Sequence, residues 1–146
     1  MGTMLDALQK VQKVERELSH VRSKLCTRRR AATNQKQRIQ DLQEKHDSLQ
    51  ASSMTRRADA DRFALDLQIK EEQVAKLRSS LNAAKTNKEY AAILTQMNTF
   101  KADNAKIEES ALEMMQQIDQ LEGDSKKLEA DIAVEEGRLA EIQAKS

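Results

Sequence analysis

LRSSLNAAKTNKEYAAILTQM, residues Leu77 to Met97, is where one heptad frame stops and another starts. Upstream of it, apolar residues recur every 3.5 positions from Met4. The a series is Met4, Val11, Leu18, Leu25, Ala32, Ile39, His46, Ser53, Ala60, Leu67, Val74 and Leu81. The d series is Ala7, Val14, Val21, Arg28, Gln35, Leu42, Leu49, Arg56, Phe63, Lys70, Leu77 and Ala84, so 18 of these 24 positions are apolar. Downstream, a falls on Tyr90, Met97, Asn104, Ala111, Ile118, Ser125, Ile132 and Leu139. The matching d positions are Ile93, Phe100, Ile107, Met114, Leu121, Leu128, Glu135 and Ile142, and 13 of these 16 are apolar. A sustained period of 3.5 marks the seam of a left-handed supercoil.

The first frame continued would place its next a at Lys88, two residues before Tyr90. Neither a three-residue stammer nor a four-residue stutter produces that jump, so one helix ends and another begins. Thr86-Asn87-Lys88-Glu89 is a capping box, in which Thr86 accepts from the Glu89 amide while the Glu89 carboxylate reaches back. Gly123 and Gly137 lie inside the second frame, which runs through both.

The spacing predicts an all-α fold, a long antiparallel coiled-coil hairpin. Its helices cover about 3–83 and 87–144, joined by a turn at about 84–87, and residues 1–146 form a single hairpin domain. Facing a and d residues should carry numbers that total 174, which sets Leu81 on Ile93, Ala84 on Tyr90, Phe63 on Ala111 and Lys70 on Asn104. Large then meets small and polar meets polar. In that register the second helix reaches only to about Arg28. Met4, Val11, Val14, Leu18, Val21 and Leu25 are left as an unpaired seam, for an oligomer or for a missing domain. Burying side chains of this size is worth ~1.5–3 kcal/mol each, a drive on the order of 10 kcal/mol toward a partner, including a homodimer through residues 1–25.

Composition agrees with a rod. Ala, Leu, Glu, Lys and Arg make up 73 of 146 residues, the proportion typical of long helices, and proline is absent. With three aromatics in all, the chain is too poor in bulky residues for a rounded core, so an enzyme is not expected. Basic and acidic residues balance at 25 and 24. Cys26, the only cysteine, excludes an internal disulfide, and no signal-peptide core or 18-residue apolar run occurs. A cytoplasmic chain without membrane contact is expected.

Leu77 to Met97, followed by IEESALEMMQQIDQ at Ile107 to Gln120, resembles the bacterial nucleic-acid-binding C4-type zinc-ribbon family. That family combines a coiled-coil hairpin with a zinc ribbon and carries a TN(K/R)EY motif before an acidic helix. Thr86, Asn87, Lys88, Glu89 and Tyr90 match the first feature; Ile107, Glu108, Leu112, Glu113 and Met115 match the second approximately. The resemblance implies an adaptor in transcription or in flagellar and type III secretion regulation, with the sigma-54 factor or secretion-apparatus components as partners. It also makes Thr86, Asn87, Lys88, Glu89 and Tyr90 a candidate docking tip. A ribbon needs four thiolates, and these residues hold one cysteine. No cofactor is therefore expected here, and zinc only if a ribbon follows residue 146.

Between Glu17 and Asp41 there is no acid, while Arg22, Lys24, Arg28, Arg29, Arg30, Lys36 and Arg38 supply seven positive charges. The stripe is expected to pair with Glu135, Glu136 and Glu141 across the hairpin; alternatively it holds nucleic-acid phosphates by counterion release. No aromatic interleaves it for base stacking. The acids Glu108, Glu109, Glu113, Asp119, Glu122 and Asp124 form a solvated face or a dock for a basic partner. His46 occupies an a position as a polar register residue, and Ser53 and Arg56 mark a weak midsection at 51–61. The expectation is a non-enzymatic coiled-coil interaction module; the alternatives are a nucleic-acid-binding protein using 22–38 and a prefoldin-like chaperone.

Overall fold

A computed structural model describes residues 2–145. Among them the chain is an antiparallel helical hairpin of α1 (Gly2–Asn82) and α2 (Asn87–Ala144), with α1 the longer. Two units are distinguished along it. One comprises Asp47–Lys126 and contains the turn; the other joins Met1–His46 to Lys127–Ser146.

The turn follows from local chemistry rather than from glycine, since no described residue has positive φ. The last turn of α1 tightens, with the Ala83 amide donating to the Ser79 and Ser80 carbonyls at 3.2 Å and the Ala84 amide to Leu81 at 3.3 Å. Short i to i+3 bonds of this kind satisfy carbonyls that the helix would otherwise leave open. Thr86 then caps α2. Its Oγ1 accepts from the Glu89 amide at 3.1 Å, and its carbonyl accepts the first helical bond from Tyr90 at 3.0 Å. The Glu89 carboxylate reaches one residue past the cap, to the Lys85 amide at 3.3 Å. Its charge also lies in the first turn, where the helix dipole favours it.

Burial follows the heptad frame. In the unit containing the turn, Ser53, Val74, Met97, Asn104 and Ser125 are buried a positions, and Phe63, Leu67, Leu77, Ile93 and Phe100 are half-buried beside them. In the other unit Gln35 and Ile39 are buried, with Ala32, Leu42, Ile132, Leu139 and Ile142 half-buried. Cross-helix partners have residue numbers that total about 174 in each unit. Arg38 meets Glu135 and His46 meets Glu129 in one; Arg56 donates to Gln117 in the other. No described side chain is fully buried. A two-helix seam is too narrow to enclose its residues on every side.

Within this register individual side chains depart from a simple picture of layers. Lys70 and Asn104 do not bond across the seam: Lys70 Nζ turns to Asp66 on its own helix at 3.7 Å, and Asn104 Oδ1 is buried without a hydrogen-bond partner. A long flexible ammonium gains more by reaching solvent and a nearby carboxylate than by staying in the seam. Tyr90 does not close the seam, being 48% exposed. It sits in the first turn of α2, past the end of α1 at Asn82. Residues 51–61, the expected weak midsection, are unbroken α-helix, with Ser53 buried and Arg57 paired to Glu122.

Gly123 and Gly137 are helical, and a Cβ at either would meet nothing within 4 Å. Alanine at a helix-interior glycine gains about 1 kcal/mol of propensity. The double variant Gly123→Ala/Gly137→Ala is therefore expected to be stabilised by about 2 kcal/mol in a urea titration, with no change in helix boundaries.

Candidate partner-binding surfaces

Four surfaces arise from this arrangement. The first is the amino-terminal seam. Every residue from Gly2 to Arg30 is exposed, including the a and d residues Met4 (82%), Val11, Val14 (61%), Leu18 (47%), Val21 and Leu25. The cause is the register. Arg28 Nη1 donates to the Lys145 carbonyl, so α2 runs out opposite Arg28, and the apolar stripe on α1 continues without a facing helix. Half-exposed Leu25 and largely exposed Met4 are unusual for a repeat this regular, because burial of that stripe is what makes such a repeat favourable.

The second surface is the basic stripe. Arg22, Lys24, Arg28, Arg29, Arg30, Lys36 and Arg38 are all exposed. The expected pairing with α2 is realised at one point: Arg38 approaches Glu135 at 4.0 Å. Glu136 and Glu141 form no ion pair with the stripe among the described residues. Arg28 is held by a carbonyl rather than a carboxylate. The reason is angular, because Glu135 is a seam position, Glu136 at e lies on the opposite flank of the seam from Arg38 at g, Glu141 is an outer c position, and Arg22 and Lys24 lie beyond the reach of α2.

Glu135, the one polar residue of the second d series, is instead the centre of a polar cluster. Its side chain is 13% exposed; Gln35 Nε2 donates to its backbone carbonyl at 2.8 Å and to its carboxylate, and Arg138 donates to the carboxylate at 2.9 Å. The signal was available, since Gln35 and Glu135 are both polar residues at d positions of neighbouring layers. His46 makes the next polar contact, its Nε2 donating to Glu129 Oε1 at 3.0 Å. This agrees with a polar residue tolerated at an a position because a carboxylate flanks it.

The tip is the third surface. Thr86 and Glu89 are used by the cap, while Asn87, Lys88 and Tyr90 are exposed. Thr86→Ala is expected to cost about 1 kcal/mol in a thermal or urea melt, whereas Lys88→Ala leaves stability unchanged. The acidic run is the fourth. Glu108, Glu109, Glu113 and Asp119 are exposed; Glu122 is taken by Arg57, and Asp124 is half-buried and accepts from Gln120 at 3.2 Å.

Among the described residues no group of three or more His, Cys, Asp or Glu is placed to hold a metal ion, and Cys26 is exposed and unpaired. No described helix is long and apolar enough to cross a membrane. Comparison with known proteins finds no matching family model, no matching curated protein and no matching solved structure.

Proposed function

We propose that this chain is a non-enzymatic coiled-coil interaction module whose amino-terminal helix supplies the binding face. The observation that carries the reading is the exposed seam of Met4, Val11, Val14, Leu18, Val21 and Leu25. It continues the phase of the packed part of α1 but has no facing helix. In such a module the hairpin fixes the direction and register of the projecting helix, and a partner helix completes the supercoil through knobs-into-holes contacts. The resemblance at Thr86 to Tyr90 directs the module toward transcription or flagellar and secretion regulation, with the sigma-54 factor or a secretion-apparatus component as partner; that direction is by analogy.

The test is photo-crosslinking in cells from a benzoylphenylalanine placed at Val14, with Arg16 on the outer face of the same helix as the comparison site. Discrete protein adducts from position 14 and none from position 16 are expected. Equal labelling at both positions, or none at either, would remove the seam as a binding face.

A second reading is favoured by the same helix. Arg22, Lys24, Arg29, Arg30 and Lys36 are exposed and form no ion pair among the described residues, which is the footprint of phosphate binding. Titration of duplex DNA at several salt concentrations decides it. An affinity that falls with salt, and drops further in Arg28→Ala/Arg29→Ala/Arg30→Ala, supports nucleic-acid contact, whereas an unchanged affinity in that variant removes it.

A further inference from the structure

We infer that the flank of the hairpin formed by the e and b positions of both helices, centred on Met54, Leu112 and Met115, is a docking trough for a basic amphipathic helix of a partner protein. This surface lies in the unit that contains the turn and is separate from the amino-terminal seam.

The Arg57 to Glu122 ion pair joins an e residue of α1 to an e residue of α2, so the e positions of the two helices share one flank. Seven residues along each helix, the same pairing sets Ala64 opposite Met115. Both are exposed, and the b positions beside them add Met54 and Leu112. Met54, Leu112 and Met115 are each more than half exposed, although positions outside the seam ordinarily carry polar side chains. With a single methyl group at Ala64 on one wall and a methionine on the other, the flank is a shallow apolar trough. Two of its three large residues are methionines, whose unbranched side chains adapt to the shape of an incoming helix.

Charge identifies the occupant. Asp61 and Asp119 at b and Glu108 at e are exposed beside the trough and form no ion pair among the described residues. Arg57, the one base at an e or b position over the same length, is already taken by Glu122. In the observed register Asp119 is level with Thr55, Met115 with Asp59, Leu112 with Arg62 and Glu108 with Asp66. The carboxylates therefore bracket the apolar residues over about 18 Å, some three turns of a docked helix. A helix whose apolar stripe is flanked by lysine and arginine buries the first set and pairs the second. A neutral or acidic helix would take the same carboxylates out of water with nothing to compensate them.

The test titrates the full chain, labelled at its methionine methyl groups, with a synthetic peptide of roughly five turns carrying leucine along one face and lysine elsewhere. The same peptide with glutamate in place of lysine is the comparison. The lysine peptide is expected to shift the Met54 and Met115 resonances saturably while Met4 in the amino-terminal seam and buried Met97 stay in place, and the glutamate peptide to shift none. Leu112→Gln/Met115→Gln, at exposed positions and with parental ellipticity, should weaken binding about tenfold or more, read from Met54. Asp61→Asn/Glu108→Gln/Asp119→Asn should weaken it about tenfold at low salt and far less at high salt. No binding, equal binding of the glutamate peptide, shifts confined to Met4, or an unchanged affinity in either variant would each overturn the inference. Self-association of the chain that is lost in Leu112→Gln/Met115→Gln and not displaced by the lysine peptide would assign the trough to a second copy and overturn it as well. None of these outcomes bears on adducts at Val14, so the proposed function is tested separately.

Discussion

Replacing Met97 with aspartate will unfold the turn-containing part of the hairpin, or leave it only marginally folded. Met97 is 5% exposed, the most buried residue of α2, and faces Leu77 across the seam. The substitution removes its apolar contacts and sets a carboxylate in the interface. Lys101 lies four residues on but on the exposed side of α2, so the charge would have no buried partner. Loss of a buried methionine side chain costs ~2–5 kcal/mol, and an unpaired buried charge adds ~1–3 kcal/mol or more. Two helices with so few buried layers cannot absorb a loss of that size. The expected result is loss of most ellipticity at 222 nm and loss of the cooperative urea transition. Glu113→Asp, on the exposed face, serves as the control and should melt as the parent does.

The opposite sign is expected at Asn104. This a residue is buried and its Oδ1 has no hydrogen-bond partner, while Lys70 opposite has turned away to Asp66. An unsatisfied buried acceptor costs ~1–3 kcal/mol, and leucine at this position would remove that cost and add apolar contact. Asn104→Leu should therefore raise stability by about 2–4 kcal/mol, read as a higher urea midpoint with a similar slope. A polar residue at a single a position also selects register. The same variant is expected to lose some uniqueness of pairing, visible as broadened amide resonances around Lys70 and Asn104. A lower midpoint would mean that Asn104 is satisfied in a way the buried geometry does not show.

How far the sequence reached can be followed residue by residue. The heptad frame was fully legible because burial in a two-helix seam depends almost only on phase. From Ala32 to Ala84 every a and d residue is buried or half-buried, polar His46, Ser53, Arg56 and Lys70 included. The turn was legible because a phase jump and a capping box coincide, and Thr86 and Glu89 form that cap. The exposed run from Met4 to Leu25 followed from the register alone. Side-chain choices within a layer were not legible. Phase places Lys70 opposite Asn104 but does not say that a long side chain can leave the seam. It places Glu135 at a d position but does not reveal the clamp from Gln35 and Arg138. The basic stripe was over-assigned to α2 because residue number locates a side chain along the helix but only heptad position locates it around the helix. Glu141 at c points outward, and Glu136 at e lies on the opposite flank of the seam from Arg38 at g.

The whole account depends on α2 folding back on α1 of the same chain, and one distance tests this directly. Nitroxides are attached at Arg62→Cys and Glu113→Cys in a Cys26→Ser background, on exposed c positions at the same height in the observed register, and the labelled chain is diluted with unlabelled chain. Pulsed electron resonance should return a single intramolecular separation of about 20–30 Å, set by an interhelix distance of ~8–10 Å plus the label arms. A chain that forms one uninterrupted helix beside its twin would place the same labels about 77 Å apart, at 1.5 Å per residue, and that result would contradict the hairpin and everything built on it.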